Sequence, residues 1–169
     1  MSVRPLDPEI LFRALSKHRV QYVLIGAMAA RLQGFPRMTA DADVTPARDG
    51  ENLRRLASAL KELDARVYTE GIPDGLAFDI SDRTLSRANV WNLITKAGRL
   101  DVVFSPNGTD GYADLAGNAI VFRAFGVRIE AARLEDILRS KEAADRPQDR
   151  QDAQVIREML RRAATAERK

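Results

Sequence analysis

Hydrophobic and polar residues follow two periods along this chain, and each change of period marks a predicted helix or strand. Apolar positions three and four residues apart predict helices, over 8–18, 27–32, 50–63, 112–116, 134–145 and 149–162. Short apolar runs bounded by glycine, proline or polar residues predict strands, over 21–25, 39–45, 65–68, 77–80, 90–95, 99–104, 119–122 and 127–129. A loop is predicted around Gly71, Pro73 and Gly75, and residues 163–169 are expected to fray. Strands that alternate with helices predict an α/β or α+β fold with a mixed central β-sheet flanked by helices.

The length and composition are those of an ordinary globular protein. The 169 residues are 45% hydrophobic and 30% charged, which suits one domain with a substantial core. We expect this domain to span residues 1–169, with a core over about 15–130 and C-terminal helices over about 133–162. No run reaches the roughly 20 apolar residues of a membrane span, and the first residues lack the apolar segment of a secretion signal. These features predict a cytoplasmic protein with no membrane partner.

The predicted strand over 39–45 carries the strongest chemical signal in the sequence. Alternate side chains of a strand point to the same face, so Asp41 and Asp43 share one face and the apolar residues beside them share the other. Two carboxylates about 7 Å apart at the backbone can converge on a hard divalent cation. Metal-assisted phosphoryl transfer requires such an arrangement. The alternative is an edge strand whose two acids are simply solvated.

A third acid, Asp101, lies inside the predicted strand over 99–104, between Leu100 and Val102. A carboxylate in an apolar strand is costly unless it is paired or bound to a metal. The alternative is a surface acid beside Arg99. The chain has no cysteine and one histidine, so a metal here would be held by oxygen ligands, which indicates Mg²⁺ or Mn²⁺.

Gly26 ends the apolar run 21–25 where a helix is predicted to begin. Unpaired backbone N–H groups and the helix dipole favour an anion at such a junction, and glycine lets a phosphate approach the main chain. The alternative is a tight strand-to-helix connection with no ligand. Neither the GxGxxG nor the GxxxxGK[ST] motif occurs, which disfavours dinucleotide-binding and P-loop folds. Arg37, just before Thr39, is either a phosphate contact or a surface residue beside Pro36.

Lys141 continues the apolar stripe of the predicted helix 134–145, two turns after its first residue. Its ammonium group is therefore expected on the inward face of the helix, where it would meet a triphosphate. In the next predicted helix, Asp152 is in line with the apolar positions. The alternative is an ion pair that joins the two helices, either Lys141–Asp152 or Arg146–Asp149.

The formal net charge of +3 permits a polyanionic partner without requiring one. Five basic residues near the C-terminus either contact RNA phosphates or form a solvated helix face, and we favour the solvated face. These residues are Arg157, Arg161, Arg162, Arg168 and Lys169.

Taken together, Gly26-Ala27, Asp41-x-Asp43 and Asp101 resemble the motifs of the polymerase-beta-like nucleotidyltransferase superfamily. The segment 134–152, LEDILRSKEAADRPQDRQD, is similar to small AbiEii-type nucleotidyltransferases of toxin–antitoxin systems. The resemblance covers roughly residues 15–160. It implies a nucleotidyltransferase fold whose C-terminal helices close the active site. It also implies a metal-dependent enzyme that transfers a nucleoside monophosphate from an NTP, such as ATP, to an acceptor hydroxyl.

The resemblance implies a role for each matching residue. Asp41, Asp43 and Asp101 would bind the metal ions, and Asp101 would help to activate the acceptor hydroxyl. The backbone at Gly26 and Ala27 would hold phosphate, and Lys141 would neutralise the triphosphate. The predicted catalytic residues are Asp41, Asp43, Asp101 and Lys141, and the predicted nucleotide-binding residues are Gly26, Ala27, Arg37, Thr39, Lys141 and Asp152. Position 27 departs from the family, which often has Ser or Gly there, so no hydroxyl at this position reaches the phosphate.

The acceptor that the resemblance implies is RNA, above all the 3′ end of tRNA. The implied setting is a toxin–antitoxin or phage-defence system with a cognate antitoxin as partner. A second interpretation is nucleotidyl transfer to a protein or to a small molecule such as an antibiotic. A third is a catalytically degenerate binding or antitoxin module. Ala27 favours this last interpretation, and the intact set of three acids argues against it.

Overall fold

The computed structural model describes residues 4–169, and within this range an eight-stranded mixed β-sheet is flanked by helices. In chain order the elements are α1 (Pro8–Lys17), β1 (Tyr22–Ile25), α2 (Gly26–Leu32), β2 (Asp41–Pro46), α3 (Gly50–Glu62), β3 (Arg66–Thr69), β4 (Ile72–Leu76), α4 (Asp82–Leu85), β5 (Val90–Thr95), β6 (Gly98–Val103), α5 (Tyr112–Ala116), β7 (Ile120–Ala124), β8 (Val127–Ala131), α6 (Leu134–Ala144) and α7 (Pro147–Glu167). The strand order is β4-β3-β5-β6-β2-β1-β8-β7. β2 runs parallel to β6 and antiparallel to β1, and β6 runs antiparallel to β5. This architecture confirms the predicted fold class.

The central strands bury one face of the sheet and leave the other to polar side chains. In β2 and β6, every second residue is completely buried, while the acids between them are partly exposed. The buried residues belong to one core cluster with leucines of α1 and α3; they include Ala42, Val44, Leu100, Val102, Leu11, Leu15, Leu56 and Leu60. The predicted two-residue period therefore holds at the strands that carry the acids.

Capping residues fix where the two core-facing helices begin. Asp7 accepts a hydrogen bond from the backbone N–H of Ile10 at the start of α1, and Asp49 accepts one from Asn52 at the start of α3. Pro8 occupies the first turn of α1, where its missing N–H has no helical partner to lose. These short signals mark the first residue of each helix.

Two predictions about local structure were wrong. The strand predicted over 77–80 lies earlier, at Ile72–Leu76, and it includes the glycine and proline that predicted a loop. β4 is an edge strand, where proline is tolerated. Gly75 has φ +70°, and an added Cβ there would lie 2.7 Å from the carbonyl oxygen of Val67. The second error is the frayed C-terminus, because α7 continues to Glu167 through alanines that favour a helix.

None of the helices described within residues 4–169 is long and apolar enough to cross a membrane.

Candidate active site

Three acids from separate parts of the sequence meet at the middle of the sheet. The parallel strands β2 and β6 pair Asp43 with Asp101 and Asp41 with Arg99. Residues paired across neighbouring strands project to the same face of a sheet, so the carboxylates of Asp43 and Asp101 project from the same face. The structure thus brings together the three acids that the sequence pattern singled out.

These acids line a cavity of about 860 Å³, a volume typical of sites for small molecules. The cavity lies against the beginning of α2, the connection from α2 to β2, and the helices α6 and α7. Every residue predicted for the site lines it: Gly26, Ala27, Arg37, Thr39, Asp41, Asp43, Asp101, Lys141 and Asp152. The C-terminal helices therefore form part of the wall of the cavity, as predicted.

The acid cluster has more negative charge than its neighbours neutralise. Burial, and after it the charges of Asp41 and Asp101, raise the pKa of Asp43 to about 7, although Lys141 and Arg99 oppose the shift. A carboxyl group with so high a pKa is held in its ionised form at a cost, which a bound cation would remove. The electrostatics of the cluster therefore suit a cation site.

The buried carboxylate oxygen Oδ1 of Asp101 has no hydrogen-bond partner among the described residues. It lies 3.6 Å from Nη2 of Arg99, which is too far for a hydrogen bond, and no described residue supplies another donor. Burial raises the pKa of Asp101, and the Arg99 guanidinium, held over the ring of Tyr68 at 3.8 Å, lowers it in part. Asp101 is thus beside Arg99, as the alternative supposed, but its carboxylate is only 15% exposed and lines the cavity.

Gly26 brings the main chain unusually close to the acids. It begins α2 with φ +70°, and an added Cβ would lie 2.5 Å from Oδ2 of Asp43. Only glycine satisfies both the backbone conformation and this approach. No described side chain caps the helix at Ile25, so the first N–H groups of α2 have no side-chain acceptor. The hydroxyl of Thr39 donates to Oδ1 of Asp41 at 2.9 Å and thereby orients that carboxylate.

The basic side chains that face the cavity form ion pairs with acids of α7. The buried carboxylate of Asp152 accepts two hydrogen bonds from Arg37, at 3.2 and 2.7 Å, one from Lys141 at 3.0 Å and one from Gln148 at 3.0 Å. Burial raises the pKa of Asp152, but the hydrogen bonds from Arg37 and Lys141 hold it below its usual range. The four groups together fasten α6, α7 and the α2–β2 connection to one another.

Both ion pairs that the sequence left as alternatives are present. Nζ of Lys141 pairs with Asp152 and lies 3.6 Å from Asp149, while Nε of Arg146 lies 2.7 Å from Asp149. Lys141 also lines the cavity with a side chain only 13% exposed. Its ammonium group therefore joins the two helices and faces the space where a triphosphate was predicted.

The three acids have the ligand chemistry that a divalent cation requires, although their side chains are not arranged around a common metal position. Asp41, Asp43 and Asp101 offer oxygen ligands of the kind that Mg²⁺ and Mn²⁺ prefer. The unsatisfied Oδ1 of Asp101 and the raised pKa of Asp43 both indicate missing positive charge. Within residues 4–169, no group of three or more Asp, Glu, His or Cys side chains is already arranged as a metal site.

Sequence reasoning missed one wall of the cavity. This wall comes from β5 and the residue before it, from the end of β6 and from the loop after β6; its residues include Asn89, Val90, Asn92, Val103, Ser105, Asn107 and Thr109. One signal was available: Asn92 is a polar residue within the apolar run of the predicted strand over 90–95. Val90 begins β5, Val103 ends β6, and the others lie in loops, where polar residues are expected without any functional role.

The comparisons with known proteins give a fold. No protein-family model matches the sequence. No curated protein matches it either. The structure is similar to the lincosamide antibiotic adenylyltransferase LnuA in its lincomycin-bound form, with a TM-score of 0.57 and 14% identity, over 90% of this chain and 98% of that one. It is also similar to a putative nucleotidyltransferase from Thermotoga maritima, with a TM-score of 0.52 and 16% identity, over 93% of this chain and 96% of that one. The chain therefore has the fold of these nucleotidyltransferases.

Proposed function

We propose that this protein transfers a nucleoside monophosphate from an NTP to the hydroxyl group of an acceptor. The observation that supports this most strongly is the pairing of Asp43 with Asp101 at a cavity that Gly26 and Lys141 also line. The fold shared with nucleotidyltransferases agrees with it.

In this proposal the nucleotide lies between the start of α2 and the helices α6 and α7. The backbone N–H groups at Gly26 and Ala27 would donate to phosphate oxygens, which needs no side chain at position 27. Lys141 and Arg37 would face the triphosphate, and Asp152 would hold both basic side chains in place. Catalysis would then rest on position and charge, with little covalent chemistry for the protein to perform.

Asp101 is proposed to take the proton of the acceptor hydroxyl on its carboxylate, which lines the cavity. The acceptor oxygen then bonds to the α-phosphorus, the bond from that phosphorus to the β-phosphate oxygen breaks, and pyrophosphate leaves. Asp41, Asp43 and Asp101 would hold Mg²⁺ or Mn²⁺, which when bound supplies positive charge to the phosphate oxygens. Thr39 would keep the Asp41 carboxylate oriented for that role.

We propose a small molecule as the acceptor in preference to RNA. LnuA is an adenylyltransferase of a lincosamide antibiotic, which supports a small-molecule acceptor. Three of the five basic C-terminal residues predicted as a possible RNA contact are paired with acids: Arg157 with Glu142, and both Arg161 and Arg162 with Glu158. This pairing weakens the electrostatic attraction that RNA binding requires.

The AbiEii-type resemblance, the tRNA acceptor and the antitoxin partner stay predictions from the sequence, as does the cytoplasmic location. A protein acceptor also remains an outcome for experiment. The third interpretation, a degenerate binding module, has less support. The acids, Gly26 and Lys141 all line one cavity, and the loss of a hydroxyl at position 27 leaves backbone donation in place.

We expect the purified protein to transfer label from an α-³²P-labelled NTP in the presence of Mg²⁺. The reaction should label pooled hydroxyl-bearing small molecules, lincosamides among them, and should release pyrophosphate in equal amount. Total tRNA and the protein itself, assayed in parallel, are expected to stay unlabelled. Label on tRNA would restore the RNA acceptor, and label on protein would favour the protein acceptor. Absence of label from all three acceptor classes and of NTP binding would overturn the proposed function.

A further inference from the structure

The two sides of the cavity differ in charge. The side formed by α6, α7 and the α2–β2 connection carries Arg37, Lys141 and Arg146. The side formed by β5, the end of β6 and the loop after β6 offers amides, hydroxyls and valines, and no lysine or arginine among the described lining residues comes from these segments. One side therefore suits phosphate, and the other suits an uncharged group.

Asn92 lies directly beside the proposed catalytic acid. β5 pairs Asn92 with Asp101, and β6 pairs Asp101 with Asp43, so these three side chains form a row across neighbouring strands. Adjacent strands are about 4.8 Å apart, which places the amide within reach of a molecule held at Asp101. The Asn92 side chain is exposed to the cavity, and none of the described residues hydrogen bonds to it. Its donor and acceptor are both free for a ligand.

The loop after β6 is held in a fixed position at the rim. Gly108 has φ +73°, and an added Cβ would lie 3.0 Å from the carbonyl oxygen of Arg139 and 2.8 Å from Cβ of Ala143 on α6. Asn89 ties the loop to β5, because its side chain accepts from the backbone N–H of Ser105 at 2.8 Å. The loop is therefore anchored to both sides of the cavity.

Next to Asn92, the same face of the sheet is apolar. Val90 pairs with Val103 across β5 and β6, and each lies two residues from the paired Asn92 and Asp101. Side chains two residues apart on a strand share a face. Val90 is 43% exposed and Val103 is half-buried, and both line the cavity. A ligand at Asp101 would meet an amide and an apolar surface together.

We propose that this wall, formed by Asn92, Val90 and Val103, binds the acceptor, and that the acceptor is an uncharged, hydroxyl-bearing small molecule with one apolar side. This inference rests on the proposed nucleotidyl transfer. A hydroxyl beside the Asn92 amide is positioned to give its proton to Asp101. A phosphorylated acceptor or an RNA backbone would bring negative charge to the acids, where these segments carry no cation to balance it.

Saturation-transfer NMR with the full-length protein tests whether this wall binds the acceptor, without requiring the transfer reaction. The probes are ethyl, butyl and hexyl β-D-glucosides as uncharged acceptors, with glucose 6-phosphate and a short RNA oligonucleotide as charged ones. We expect the uncharged probes to bind, with affinity rising with alkyl length, and the charged probes to bind at least tenfold more weakly. Asn92→Ala and Val90→Ser should each weaken glucoside binding about fivefold to tenfold. Val121→Ser is the matched control, because Val121 is an equally exposed strand valine, 45% exposed, outside this wall.

The inference fails if the wild type binds no uncharged probe, if the charged probes bind as well, or if both wall variants bind like the wild type. NTP binding to the same variants, followed with a fluorescent NTP analogue, is read separately. Glucoside binding at this wall without any NTP binding would overturn the proposed function and leave the wall as a ligand site. NTP binding that persists while the wall variants change nothing would overturn only this inference.

Discussion

The substitution Asp43→Asn is expected to lower the rate of nucleotidyl transfer by about a thousandfold. Asparagine keeps the shape of the side chain but removes one of the three charges that would hold the cation. Asp43 sits between Asp41 on its own strand and Asp101 on the next, so no other acid of the row replaces it. The measurement is the initial rate of pyrophosphate release under saturating NTP.

The same substitution should stabilise the metal-free protein. The pKa of Asp43 rises from 3.8 to about 7 on folding, so the folded state binds more protons than the unfolded state between these values. The free energy of unfolding of the wild type therefore falls as the pH rises from about 4 to about 7. Above about pH 7, this group causes no further change in the free energy of unfolding. Asp43→Asn escapes this loss, and we expect it to be more stable by about 1–3 kcal/mol at pH 8 in the presence of a chelator.

Asp74→Asn is the matched control, since Asp74 is an exposed acid on the edge strand β4. It should change neither the transfer rate nor the pH dependence of unfolding by denaturant. An Asp43→Asn protein that retained full activity, or that unfolded more easily than the wild type at every pH, would contradict the assignment of Asp43 to a charged active-site cluster.

Gly26→Ala is expected to have the second largest effect, on stability and activity together. The left-handed backbone conformation opposes any L side chain at this position. The methyl group would also collide with the carboxylate of Asp43, 2.5 Å away. We expect a loss of about 2–4 kcal/mol in the free energy of unfolding and about a hundredfold loss in transfer rate from the displaced carboxylate. Chemical denaturation and pyrophosphate release measure the two effects.

Gly71→Ala separates the conformational cost from the collision. Gly71 has φ +83°, similar to Gly26, but none of the described atoms lies within 4 Å of an added Cβ. This control should lose only about 1 kcal/mol of stability and keep the wild-type transfer rate. If Gly26→Ala and Gly71→Ala changed stability and transfer rate equally, the close approach of Gly26 to Asp43 would not matter for either property.

The sequence was sufficient to predict the acid cluster, for a physical reason. The two-residue period of a strand fixes which side chains share a face, so Asp41 and Asp43 could be assigned to one side before the fold was known. A carboxylate among buried neighbours, as at Asp101, then needed a partner. The parallel pairing of β2 and β6 places Asp101 beside Asp43, whose like charge increases the need for a cation.

The sequence did not predict structural features that depend on contacts made by turns and by the edge strands of the sheet. Gly75 and Pro73 have the composition of a loop, yet they belong to an edge strand that pairs with β3, and the neighbouring strand leaves no room for a side chain at Gly75. The partners of Lys141 were equally undecided, because one helical face can present an ammonium group to a ligand and to the next helix alike. In the structure, Asp152 accepts hydrogen bonds from both Arg37 and Lys141. The spacing of residues along the sequence does not indicate this.

The proposed nucleotidyl transfer requires a divalent cation bound by the acids of β2 and β6, and Mn²⁺ binding followed by electron paramagnetic resonance tests this most directly. Relative to the same amount of a non-hydrolysable NTP analogue without protein, the wild type should remove further Mn²⁺ from solution at a defined stoichiometry, Asp74→Asn should do the same, and Asp43→Asn should bind at least tenfold more weakly. Equal Mn²⁺ binding by the wild type and Asp43→Asn, or none by either, would contradict the account.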